Sequence, residues 1–168
     1  MSVDVSTLSV DKALVMALKS EADAEAVYSK LHLRVKNFIL RDKLSFLIDE
    51  EKKHQKLLHE IFQKRFPGKT PSDPGKSIAP RLSIALTEDL SVLDLLEAAM
   101  DAEKATEEFY DGLSENVEER GLKDILLYLA SMEHSHYFLL KGEAELAARD
   151  EQYTQREEFH YDMVHIGP

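Results

Sequence analysis

Two short stretches, Glu51-Lys-Lys-His54 and Glu133-His-Ser-His136, each set a carboxylate and an imidazole three residues apart. On a helix that spacing puts both side chains on one face, where they can bind the same cation. Two further glutamates, Glu21 and Glu103, interrupt apolar helical patterns, and each is followed seven residues later by a tyrosine, Tyr28 and Tyr110. Four carboxylates and two imidazoles match the donor set of a dinuclear metal site inside a helical bundle, because two divalent ions bring the positive charge that four carboxylates need. Oxygen and imidazole donors suit iron or manganese and also accept zinc.

These residues recur because the chain repeats itself. Shifted by 82 positions, Ser9 falls on Ser91, Leu14 on Leu96, Glu21 on Glu103, Glu25 on Glu107, Tyr28 on Tyr110, Val35 on Val117, Glu51 on Glu133 and His54 on His136, without a gap. Such a period marks two copies of one structural unit. Each unit reads as two helices, and apolar spacing predicts them at about 9–34, 37–65, 91–116 and 121–148. Ser9 and Ser91 stand where the first and third would be capped, and Pro67-Gly68 stops the second. The joints between helices one and two and between three and four are short, which makes antiparallel neighbours. Residues 66–90, with Pro67, Pro71, Pro74 and Pro80, form the one long connection. The expected fold is all-α: a four-helix bundle of two repeated hairpins, 9–65 and 91–148, joined by a crossover at 66–90 and followed by a tail at 149–168, all in one domain spanning 1–168.

Along the first helix the core stripe runs Leu14, Ala17, Leu18, Glu21, Glu25, Tyr28 and Leu31, and along the second Leu44, Leu47, Glu51, His54 and Leu58. The other two helices repeat this, so every helix points acid inward at one depth. Buried unpaired carboxylates cost several kcal/mol each, and no lysine or arginine repeats beside them. Cations resolve the conflict.

Composition narrows the alternatives. The chain has 168 residues, 43% of them hydrophobic, and no cysteine, which excludes disulfides, thiolate-held metals and a thiol nucleophile. A formal net charge of −11 argues against nucleic acid and anionic membrane as partners. No segment approaches the ~20 apolar residues of a membrane span, and the start Met1-Ser-Val-Asp-Val is unlike a secretion signal. A soluble cytoplasmic protein is expected.

On Glu21 with Tyr28, Glu51-Lys-Lys-His54, Glu103 with Tyr110 and Glu133-His-Ser-His136, the chain resembles the rubrerythrin branch of the ferritin-like superfamily over about 9–148. The resemblance implies iron as the metal, with Glu51 and Glu133 bridging two ions, Glu21 and Glu103 as terminal ligands, and His54 and His136 each capping one ion. Tyr28 and Tyr110 would hydrogen-bond the carboxylate ligands, or else serve as plain core aromatics. Family members carry a further carboxylate three residues after the first ligand of the third helix. That position is Thr106 here, while Glu107 and its mate Glu25 lie one residue beyond and are candidates for additional ligands or nearby acids.

The implied activity is reduction of hydrogen peroxide, or more slowly of dioxygen. With no cysteine to build a rubredoxin domain, electrons would come from an external donor protein such as a rubredoxin, as in the shorter erythrin-type relatives. A homodimer is implied as well. Iron handling without peroxide turnover, or a purely structural bundle, are the alternatives. His134, His32 and His59 read as surface residues. The aromatic tail from Arg156 to Pro168 reads as an apolar strap on the bundle or a second subunit, in preference to a separate metal site at His160, Asp162 and His165.

Overall fold

The computed structural model describes residues 5–72, 74 and 77–157. The helices are α1 (Val10–Arg34), α2 (Phe38–Arg65), α3 (Pro80–Thr87), α4 (Val92–Glu115) and α5 (Arg120–Arg149), and no strand occurs among the described residues. The four long helices begin and end within about two residues of the expected boundaries, which is the ordinary scatter of helix ends.

Their ends have local causes. Ser91 accepts from the Asp94 amide at 3.0 Å, and the Asp94 carboxylate accepts from the Ser91 amide at 3.3 Å, closing a capping box on α4. Ser9 stands at the equivalent place before α1, but its side chain makes no capping bond. The tight α1–α2 joint instead works through Asn37, whose side-chain oxygen accepts from the amides of Ile39 and Leu40 at 3.0 and 3.1 Å. After α2 the chain turns at Gly68, whose φ of +82° favours glycine.

The crossover, which the prolines mark in the sequence as one long connection, holds a helix. Pro80 opens α3 at the position where a missing N–H costs nothing. Leu82 and Ala85, three residues apart, are buried, and Lys30 Nζ donates to the carbonyls of Ala85 and Glu88 at 2.8 and 2.7 Å, satisfying its C-terminal end. Four prolines in the segment conceal this short amphipathic helix.

Within each hairpin the helices pack along their length, α1 also packs against α4, and α3 lies over both of these; α2 and α5 meet sparsely. The apolar core falls into two clusters. One joins the end of α1 (Val27, Leu31), the start of α2 (Leu40, Leu44, Leu47), the start of α4 (Leu95, Leu96) and the end of α5 (Leu140). The other joins Leu14, Leu58, Leu113, Leu126 and Leu129 at the opposite end. Between them lies a polar layer. Where α1 meets α4 the side chains are small, and Ser20 and Thr106 share a buried hydroxyl hydrogen bond of 3.0 Å.

Beyond α5, a 3-10 turn at Tyr153–Gln155 brings the chain back across the α1–α2 joint, where the Thr154 carbonyl accepts from the amides of Lys36 and Asn37 at 2.8 and 3.2 Å. Tyr153 donates to the buried Glu143 carboxylate at 2.6 Å. The tail residues His160, Asp162 and His165 lie outside the described residues.

Candidate metal centre

The polar layer is made by Glu21 of α1, Glu51 and His54 of α2, Glu103 of α4, and Glu133 and His136 of α5, every one buried to 2% exposure or less. Each sits where its helix passes from one core cluster to the other, so leucine packing above and below fixes its depth. His54 Nδ1 lies 3.1 Å from Glu133 Oε1, 3.2 Å from Glu21 Oε2 and 3.4 Å from Glu51 Oε2. His136 Nδ1 lies 3.2 Å from Glu51 Oε1, 3.6 Å from Glu103 Oε2 and 3.7 Å from Glu133 Oε2. Glu51 and Glu133 therefore each turn one oxygen towards each imidazole. The two rings stack with centroids 5.6 Å apart.

Two sets of four donors result, Glu21-Glu51-His54-Glu133 and Glu51-Glu103-Glu133-His136, and within each set one donor atom per residue lies within 4.8 Å of all the others. The proximity does not satisfy the atoms. Among the described residues, the buried side-chain atoms without a hydrogen-bond partner are Glu51 Oε1 and Oε2, His54 Nε2, Glu103 Oε2, Glu133 Oε1, and His136 Nδ1 and Nε2. Native interiors leave few such atoms. Their confinement to one cluster of carboxylates and imidazoles fits a pair of cations.

Electrostatics lead to the same conclusion. Burial, then the charges of Glu133 and Glu51, push the Glu21 carboxyl well above its ordinary range, and burial with Glu133 does the same to Glu103. Burial also opposes ionisation of Glu51 and Glu133, but the adjoining Glu21 and Glu103 carboxyls and both imidazoles hold these two below the usual range. Burial disfavours a charged His54, yet Glu133, Glu21 and Glu51 outweigh it and raise its pKa to about 12; His136 is raised by the same balance with Glu103, Glu133 and Glu51. Without metal, the same surroundings favour protons on Glu21, Glu103 and both imidazoles. Metal binding must displace them.

Tyr28 of α1 donates to Glu103 Oε1 on α4, and Tyr110 of α4 donates to Glu21 Oε1 on α1. Both rings are fully buried. The other candidates stand aside from the donor sets. Glu25 accepts from Gln55 at 2.7 Å, while Glu107 faces His134 at 3.0 Å and Lys104 at 3.2 Å. Thr106 bonds Ser20. His134 and His59 are exposed and His32 is half-buried.

Two buried acids lie outside the centre, Glu50 at 8% exposure and Glu143 at 1%, and the sequence pattern singles out neither. Glu143 ion-pairs with Lys43 of α2 and accepts from Tyr153. Its sign in the sequence is its place on the α5 core stripe, seven residues after His136, where the first repeat has Ile61.

The profile of the Rubrerythrin family matches residues 12–144, a span that contains all six residues of the polar layer. A solved structure of a hypothetical protein from Pyrococcus furiosus is 37% identical, with a TM-score of 0.78 over 84% of this chain and 92% of that one. No curated protein matches the chain. Repeat, bundle, buried carboxylate-imidazole layer and profile agree, and the chain belongs to the rubrerythrin family.

Proposed function

We propose that the protein reduces hydrogen peroxide, or more slowly dioxygen, at two iron ions held by Glu21, Glu51, His54, Glu103, Glu133 and His136, using electrons from an external donor protein such as a rubredoxin. It would act in the cytoplasm as a homodimer. The observation that most supports this is the double approach of Glu51 and Glu133, each with one oxygen towards His54 and one towards His136. Carboxylates so placed can bridge two ions.

When bound, two ferrous ions supply one electron each, so that one peroxide, two electrons and two protons give two waters. The residues of the chain do the rest. Glu21 and Glu103 each complete one donor set, while the Tyr110 and Tyr28 hydroxyls hold a proton against the far oxygen of each and fix its orientation. Leucine layers on both sides keep bulk water from the centre. No helix among the described residues is long and apolar enough to cross a membrane.

The test is anaerobic loading with two ferrous ions per chain, followed by stopped-flow mixing with peroxide or air-saturated buffer. Oxidation of the iron pair at least about tenfold faster with peroxide supports the reading. Faster oxidation by air would replace it with iron handling, and failure to bind iron stoichiometrically would end it.

A further inference from the structure

The four seams of the bundle differ in how they cover the metal centre. The two hairpin seams are closely packed. The α1–α4 seam is spanned by Tyr28, Tyr110 and the Ser20–Thr106 pair, and α3 lies over it with Leu82 and Ala85 buried. Among the described residues α3 does not extend over the α2–α5 seam, where the two helices meet sparsely and the Lys43–Glu143 ion pair crosses about a turn from Phe46. What stands there is Phe46, 49% exposed, with its ring edge-on to His136 at a centroid distance of 6.5 Å. Tyr128, 51% exposed, occupies the repeat-equivalent position on α5. The repeat thus sets a half-exposed aromatic at the same position on both helices, and Phe46 is the one whose ring is seen to meet an imidazole.

A fully buried aromatic is held by packing on all sides, whereas a half-exposed one can swing outward with little loss of contact. A side chain free to swing beside a buried centre can gate passage to it without taking part in binding. We infer that Phe46 and Tyr128 form the gate of the metal centre, admitting small neutral or singly charged ligands, the peroxide of the proposed reaction among them, through the α2–α5 seam to the imidazole side. The inference rests on the metal-centre reading but not on the redox reaction.

The test therefore uses redox-inert conditions. The full chain is loaded with cobalt(II), whose visible absorption reports coordination, and azide binding is followed by stopped flow in the wild type, Phe46→Ala, Phe46→Trp and Tyr128→Ala. A gate changes association and dissociation together. Phe46→Ala and Tyr128→Ala should each raise both rate constants about tenfold, and Phe46→Trp should lower both, with Kd held within about twofold. Thermal melts check that the variants remain folded. A changed Kd at unchanged association rate would make Phe46 a tuner of His136 and overturn the gate, as would identical rates in all four proteins. If the wild type shows no cobalt spectrum, the metal centre itself falls, a result distinct from loss of the gate alone.

Discussion

Tyr28 and Glu103 are joined by a buried hydrogen bond that crosses from α1 to α4, and Tyr110 returns the same bond to Glu21. Each half of the repeat thereby steadies a carboxylate of the other half. The tyrosines are the reason that the terminal acids of the two donor sets do not depend on their own hairpins alone for orientation.

Replacing Tyr28 or Tyr110 by phenylalanine removes one donor to a buried carboxylate while keeping the ring. Loss of a partner to a ligating carboxylate costs about ten- to a hundredfold in metal affinity. Chelator competition should show this drop in each variant, with helical circular dichroism unchanged.

Glu51 and Glu133 belong to both donor sets. Glu51→Ala should therefore reduce bound metal from two ions per chain to less than one, whereas Glu21→Ala, which touches one set, should leave about one. Elemental analysis of purified protein reads the difference directly.

The metal-free protein should lose stability as pH rises. His54 holds its proton up to about pH 12 when folded against an ordinary 6.5, so its contribution is full below 6.5 and is lost as pH climbs towards 12. Glu21 and Glu103, raised above 4.5, act in the same direction, full below 4.5 and lost as pH passes their folded values. Glu51 and Glu133 are lowered, so theirs is full above 4.5 and lost in acid. Urea midpoints of metal-free protein should fall between about pH 6 and pH 9. Loading divalent ions near neutral pH should release protons, measurable by calorimetry in buffers of different ionisation enthalpy.

Tyr153→Phe removes the hydroxyl that reaches Glu143 across the returning tail, while Lys43 still pairs with that acid. A lost hydrogen bond to a charged group predicts about 1.5–3 kcal/mol of destabilisation. Hydrogen exchange should rise first at the Lys36 and Asn37 amides, which the Thr154 carbonyl holds.

Much of this was readable because function and periodicity coincide. Glu21, Glu51, His54 and their mates stand out as polar residues on apolar stripes, and the repeat states the same pattern twice. The α3 helix was hidden because its burial depends on a groove between α1 and α4 that exists only after the hairpins dock. Asn37 as the cap of α2 was missed for a related reason: its neighbours give no amphipathic warning, and its amide also serves the Tyr153 carbonyl from 116 residues away. Phe46 and Tyr128 are aromatic in both repeats but look like ordinary surface residues until the α2–α5 seam is seen to be thinly covered.

The distribution of the donor sets over the hairpins has a consequence for assembly. The first set takes three residues from hairpin one and Glu133 from hairpin two; the second takes three from hairpin two and Glu51 from hairpin one. Neither hairpin can complete a set by itself. In the proposed two-ion centre, metal occupancy would therefore be a record of correct docking, and a chain whose hairpins separate would give up both ions in one event.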